Sequence, residues 1–374
     1  MATLPTTTDE ITADWLTEAL CGSGVIPAGT TVSGLRIDPQ AGGVGFMGEV
    51  GKLHLTYDGP VAGENGDAPS EIVAKFATQN PELREMMRPT RVYEREHRFY
   101  EVLAAETPLR TPAVYHVTCN PSDDPDVPEE YLLLMEDLGH LTLGDQVAGV
   151  TPEQAQKALA GLAEHHAHFW NGAHLERATF LPDINGPLNQ GGKAIYEASY
   201  PGFREAFHDT LDPKMAQVAA AYPDSCLAML DRLAAMPTTL VHFDYRADNL
   251  FFDDSESGGG SVAVIDWQAI ARGGGAYDVG YFLSQNLSIE DRRAHEQDLM
   301  RGYHDTLTAN GVTGYAFEQL QDDYRVGMMY SWVIPVLAVG SLDFTSERAV
   351  TLWTRVIERA QDAIFHHNAQ EFVG

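Results

Sequence analysis

The sequence predicts an α+β chain of two lobes, a small N-terminal lobe with a five-stranded antiparallel sheet and one helix, then a larger, mostly helical C-terminal lobe. Three observations predict it. Apolar runs of strand length recur as far as Met135, helical periodicity takes over from Thr151, and a single polar cluster at 239–268 interrupts the helical half. With 374 residues, 44% of them hydrophobic and 21% charged, the chain is long enough to bury two cores.

Taken in order, residues 8–20 read as an amphipathic helix that Thr8 or Asp9 caps and whose apolar face carries Trp15, Leu16 and Leu20. Strands follow at 32–37, 50–57 and 72–76, with 59–69 (GPVAGENGDAP) as a hairpin loop between the last two. A long helix over 91–105 precedes two more strands, 113–117 and 131–135, joined by the acidic turn PSDDPDVPEE. The boundary falls at Asp137 to His140, which divides the chain into lobes 1–137 and 138–374. SESGGGS at 255–261 reads as a hairpin tip, and there is no internal repeat. The apolar stretch 326–342, VGMMYSWVIPVLAVGSL, approaches the length of a membrane span, but Pro335, Ser331 and close flanking charges make it a buried helix of the larger lobe.

Lys and Arg number 24 against 54 Asp and Glu, a formal net charge of -30. Nucleic acid is excluded as a partner, because a phosphate backbone needs clustered basic residues, and an anionic membrane surface is disfavoured on the same ground. A cationic substrate would be attracted, although an acidic, solvated surface alone accounts for the charge. Cys21, Cys119 and Cys226 are widely spaced and form no CxxC pair, which fits a reducing cytoplasm, and the N-terminal stretch has no apolar core of signal-peptide length.

The polar cluster carries the chemistry. His242, Asp244 and Asn249 lie in LVHFDYRADNLFF, and Asp266 lies in VAVIDWQ. Asp244 and Asn249 stand five apart, the separation that puts a carboxylate beside an acceptor hydroxyl and an amide on a magnesium ion in a kinase catalytic loop. Asp266 would chelate the same ion, since several oxygen ligands around one hard cation are what Mg²⁺ requires. The flanking runs 240–241, 250–252 and 262–265 read as short buried strands of a hairpin.

Upstream, Gly43, Gly45, Gly48 and Val50 form a GxGxxGxV pattern between two strands, suited to folding backbone N–H groups over phosphates. Lys75, at the end of EIVAK, sits in an apolar run and must either reach solvent or find an anion, a nucleotide phosphate being the obvious one, with a carboxylate of the following helix to aim it. Glu96 and Glu94 are the rivals for it; about 200° apart on a helix, only one can face the sheet. Residues 135–138, including Glu136 and Leu138, are placed by position to offer backbone groups to adenine. His165, His166 and His168 lack the i, i+4 spacing of a metal pair and read as structural. Tyr281, Met328, Met329, Trp332 and Trp353 read as helical core, some with access to an apolar acceptor pocket.

With GVGFMGEV, IVAK, EHRFYEVL, LLLMEDL, VHFDYRADN, VIDWQ and GAYDVGYF in this order, the chain resembles the aminoglycoside phosphotransferase and choline kinase superfamily, most closely its ecdysteroid kinase-like (CHK-like) branch. The resemblance implies a protein-kinase-like fold and transfer of the ATP γ-phosphoryl group to a small-molecule hydroxyl. It implies Asp244 as catalytic base, Asn249 and Asp266 as Mg²⁺ ligands, Lys75 on the α and β phosphates and Glu96 orienting it. His242 and Asp278 would then give structural support, Asp278 by bracing the catalytic loop. Two departures from protein kinases, Phe243 in place of Arg and only about ten residues between Gln268 and Asp278, argue against peptide substrates. The branch suggests a lipophilic or polycyclic alcohol as acceptor, the wider superfamily an aminoglycoside or choline-type amino alcohol, and a nucleotide-binding pseudokinase scaffold is the alternative of a different class.

Overall fold

The computed structural model describes residues 3–38, 48–63, 66–122, 124, 129–254, 261–341 and 346–374. They form two compact units, 3–104 with 111–140, and 105–110 with 141–374.

The first unit contains strands β1 (Thr31–Asp38), β2 (Gly48–Asp58), β3 (Ala62–Gly63), β4 (Gly66–Asp67), β5 (Glu71–Ala77), β6 (Val114–Asn120) and β7 (Glu130–Glu136). Five of them make one antiparallel sheet in the order β1-β2-β5-β7-β6, and β3 pairs with β4 inside the predicted hairpin loop. Period-2 alternation sorts this sheet's side chains. Ile72, Ala74 and Phe76 of β5 and Leu132 and Leu134 of β7 pack with Trp15, Leu16 and Leu20 of helix α1 (Ala13–Gly22). Ala77, Tyr131, Leu133 and Met135 join Val92 and Tyr93 of helix α3 (Val92–Val102) in a second cluster.

Two local expectations are corrected. Helix α1 starts at Ala13 under a Thr12 cap, whose hydroxyl accepts from Trp15 N at 3.2 Å, while Thr8–Glu10 is a separate 3-10 turn; neither Thr8 nor Asp9 is the cap. The sheet unit also holds a further helix, α2 (Pro81–Met87), which Asn80 caps by accepting from Glu82 N and Leu83 N. Its cap and its N1 proline are a start signal that sequence reading passed over.

The second unit contains strands β8 (Thr142–Leu143), β9 (Thr238–Val241), β10 (Leu250–Phe252), β11 (Val262–Val264) and β12 (Ala271–Gly274). Its helices are α4 (Pro152–His168), α5 (Pro187–Gln190), α6 (Gly192–Ala206), α7 (Pro213–Ala235), α8 (Ala276–Asn286), α9 (Ile289–Ala309), α10 (Phe317–Ser331), α11 (Val333–Ser341) and α12 (Glu347–His366). Helix α4 starts with a full capping box, Thr151 with Gln154, and Pro152 at its first position. The three runs around the polar cluster are not one hairpin. β10 and β11 pair with each other, but β9 pairs with β12, a strand that its composition, ARGG, does not announce. A Cβ on Gly274 would lie 2.5 Å from Met236 Sδ, so close packing selects glycine where strand propensity does not. The apolar stretch from 326 is shared by α10 and α11 with a break at Trp332. Among the described residues no helix is long and apolar enough to cross a membrane.

Candidate functional site

In the first unit the β5 alternation that buries Ala74 and Phe76 against α1 turns Lys75 to the other face, where its register partners are Leu133 and Val50. Lys75 is 8% exposed and Glu96 1% exposed, so each charge needs the other. Nζ donates to Glu96 Oε1 at 3.0 Å and Oε2 at 2.9 Å, and the Tyr131 hydroxyl donates to Oε2 at 2.7 Å. Glu94 lies on the other side of α3, with its carboxylate 3.9 Å from Arg91. Gly48 opens β2 opposite Ala77, and a Cβ there would lie 2.4 Å from Phe76 O, so tight strand pairing is itself a reason for glycine. Gly43 and Gly45 lie outside the described residues. Glu136 N donates to the carbonyl of Ala113, the residue before β6, at 2.8 Å, which commits that N–H, while Leu138 is buried.

In the second unit the polar cluster is a loop held from below by one buried carboxylate. Asp278, near the start of α8, accepts His242 N at 2.8 Å and Phe243 N at 2.9 Å, and its Oδ2 lies 3.2 Å from His166 Nε2 of α4. Phe243 is thereby fixed in the left-handed region, φ 69, with its ring stacked 4.5 Å from Tyr277. His242 is buried; Nδ1 accepts from Asp244 N at 3.3 Å and Nε2 lies 3.1 Å from Ile265 O, an arrangement that selects the neutral Nε2–H tautomer. It therefore ties the loop to the residue before Asp266.

Both Asp244 oxygens are engaged. Oδ1 accepts the Tyr281 hydroxyl at 3.2 Å; Oδ2 accepts Arg246 Nε at 3.2 Å and Asn249 Nδ2 at 3.0 Å. Asn249 Nδ2 also donates to Asp244 O at 2.9 Å, which fixes the amide orientation and leaves Oδ1 as the acceptor end. Arg246 Nη1 reaches Asp248 Oδ2 at 2.8 Å. Burial works against the Arg246 charge, but Asp244, Tyr281, Asp248 and Asp266 outweigh it and hold its pKa above the ordinary value. Burial and then Asp244 push the Tyr281 phenol far above its usual range, so it stays a donor. Asp266 is a second left-handed residue, φ 64, half-buried just after β11. Such a conformation costs of order 1–3 kcal/mol in a residue other than glycine and persists where the surroundings over-determine it.

The sequence-predicted residues His242, Asp244, Asn249 and Asp278 thus share one hydrogen-bonded loop system, Asp266 directly follows Ile265, whose carbonyl meets His242, and Lys75 and Glu96 form one ion pair. Arg246, Tyr281 and His166 were not assigned to it. Arg246 stands inside the motif itself, two residues from Asp244 and two from Asp248, and a cation between two acids was the available signal. His165 is structural as expected: Nε2 meets Leu240 O at 2.9 Å, Nδ1 meets the Thr107 hydroxyl at 2.7 Å, and burial drives its pKa well down.

An uncharacterized kinase-like protein of Caenorhabditis elegans is 26% identical over 195 residues, covering 48% of this chain and 48% of that protein, so the match spans about half the length of that relative. The choline kinase from Cryptosporidium parvum has a similar structure, with a TM-score of 0.53, 11% identity and coverage of 95% of this chain and 97% of that one. So does an amicoumacin kinase solved with AMP-PNP, Ca²⁺ and Ami, at a TM-score of 0.53, 12% identity and 88% coverage of each chain. Aminoglycoside 2'-phosphotransferase-IIIa in its GDP complex gives 0.51 at 12% identity, covering 89% and 94%. These likenesses show a protein-kinase-like fold. A model of the ecdysteroid kinase-like family matches residues 42–311, which takes in both the Lys75–Glu96 pair and the loop from His242 to Asp278, and the chain belongs to that family.

Proposed function

We propose that the protein is an ATP- and Mg²⁺-dependent phosphotransferase that moves the γ-phosphoryl group to a hydroxyl of a small molecule. The observation that carries this reading is the Asp244 carboxylate, oriented through both oxygens by Tyr281, Arg246 and Asn249 in a loop that Asp278 fixes. A general base for a hydroxyl must be held in one geometry, and positioning with charge neutralisation supplies most of the rate in phosphoryl transfer. Asp244 accepts or orients the proton of the acceptor hydroxyl. Lys75, kept charged and aimed by Glu96, contacts the α and β phosphates, and residues 1–137 serve as the nucleotide-binding lobe with residues 138–374 carrying the acceptor chemistry.

The donor set fits a hard divalent cation. Asn249 has its amide nitrogen committed to Asp244, so its oxygen is available, and Asp266 is held in a left-handed turn by its surroundings. Asn249 and Asp266 would hold Mg²⁺, which when bound neutralises charge on the phosphate oxygens.

For the acceptor, family membership favours a lipophilic or polycyclic alcohol; the net charge of -30 is what an amino-alcohol reading would draw on. The test is ADP release from MgATP over a panel of sterols, other alcohols, aminoglycosides and choline analogues, beside Asp244→Ala. Acceptor-dependent release that the variant lacks, with nucleotide binding retained, supports the assignment and names the acceptor class. Equal release by the variant removes Asp244 from its role, and nucleotide binding with no release for any acceptor favours a pseudokinase scaffold.

A further inference from the structure

Helix α4 ends at His168, and the chain then turns through Asn171 (φ 57) and His174 (φ 62), both in the left-handed region. This turn lays the His174 ring against the His168 ring, with centroids 4.4 Å apart and planes 12° from parallel. Glu106, from the separate stretch 105–110 of the same unit, comes to the same place, its Oε2 3.8 Å from His174 Nδ1. Glu106, His168 and His174 each bring one ligand atom within 4.8 Å of the other two.

Two imidazoles and a carboxylate are the donor set of a borderline divalent transition metal. His168 Nε2 is a buried ring nitrogen without a hydrogen-bond partner, a condition that is unfavourable unless something satisfies it. We propose that Glu106, His168 and His174 bind one zinc-class divalent ion, with solvent completing its coordination, at a structural site separate from the phosphotransferase residues.

Glu296 with His366 and His367 is a second such group but is already neutralised. The guanidinium of Arg292, 1% exposed at the side chain, lies 2.6 Å from Glu296 and cannot retreat into water. At Glu106 the competing cation is Arg177, whose side chain is 75% exposed, so its surface pairing is given up at small cost. Metal–nitrogen distances of about 2.0–2.1 Å require the ligand atoms to draw together, and the exposed His174 ring has room to do so.

The test uses the full chain, free of added histidines and stripped of metal, titrated with Co²⁺ and then Zn²⁺ in saturating Mg²⁺. One Co²⁺ per chain is expected, with the visible absorption of a low-coordinate nitrogen and oxygen site, displaced by Zn²⁺. H168A, H174A and E106Q should each weaken binding at least tenfold, and Zn²⁺ should raise the melting temperature of the parent chain but not of E106Q, whose metal-free melting should match the parent. H366A should bind as the parent does. Unchanged binding in H168A and H174A, loss in H366A alone, or no stoichiometric binding by the parent would each overturn the proposal.

Discussion

The Tyr281 hydroxyl donates to Asp244 Oδ1 at 3.2 Å from a ring that is 1% exposed, so the carboxylate is aimed by a side chain that cannot turn away. Arg246 and Asn249 hold the other oxygen. Tyr281→Phe keeps the packing and deletes one charge-assisted hydrogen bond, worth about 1.5–3 kcal/mol when fully realised. We expect kcat to fall about tenfold or more, with little change in the KM for MgATP, read from steady-state ADP release with the best acceptor. A raised KM at constant kcat would instead place Tyr281 in substrate binding.

Asp278 is fully buried and accepts two backbone N–H groups of the loop, His242 and Phe243. Asp278→Ala strands both donors and leaves the left-handed Phe243 unsupported. Each buried donor left unpaired costs about 1–3 kcal/mol, so chemical denaturation should show a loss of roughly 2–6 kcal/mol together with loss of turnover. Asp278→Asn retains one acceptor and should recover part of the stability. Full parental stability in the alanine variant would show that the loop is braced from elsewhere.

Lys75→Met should damage folding as well as catalysis, because it deprives Glu96, 1% exposed, of a cation that contacts both its oxygens. Breaking a buried ion pair from one side costs about 3–5 kcal/mol. Adding Glu96→Gln removes the stranded charge, so the double variant should melt closer to the parent while nucleotide binding, followed by calorimetry, stays weak. Recovery of binding along with stability would mean that Lys75 acts on the fold alone.

The five sheet strands were legible because period-2 alternation survives in the residues themselves, and the spacing from Asp244 to Asn249 survives for the same reason. The ambiguity between Glu94 and Glu96 was a question of helix phase, which the sequence narrowed to one of two but which only the packing of α3 resolved. Tyr281 was illegible on different grounds. Every residue of α8 is buried, so no amphipathic stripe marks the side that meets Asp244. His166 and Asp278 lie 112 residues apart and belong to different helices, and no local pattern pairs them. β12 escaped because ARGG is chosen for closeness to Met236 and Ile184, against strand propensity.

Asp323 offers a test of stability against pH that does not depend on any assignment of function. Burial raises its pKa from 3.8 to about 6, with neighbouring Asp322 adding to the effect and the Tyr315 hydroxyl, 2.9 Å away, opposing it. Because the folded chain holds this proton more tightly than the unfolded chain, protonation favours folding, and the contribution is complete below the unfolded value of 3.8 and lost as pH rises through about 6. Asp323→Asn keeps an acceptor for Tyr315 and cannot ionise. Its melting temperature should match the parent near pH 4, rise above it progressively between pH 4 and 6, and hold a constant lead at higher pH. A difference that is flat across the whole range would mean that Asp323 titrates alike in the folded and unfolded chains, the Tyr315 hydrogen bond balancing burial.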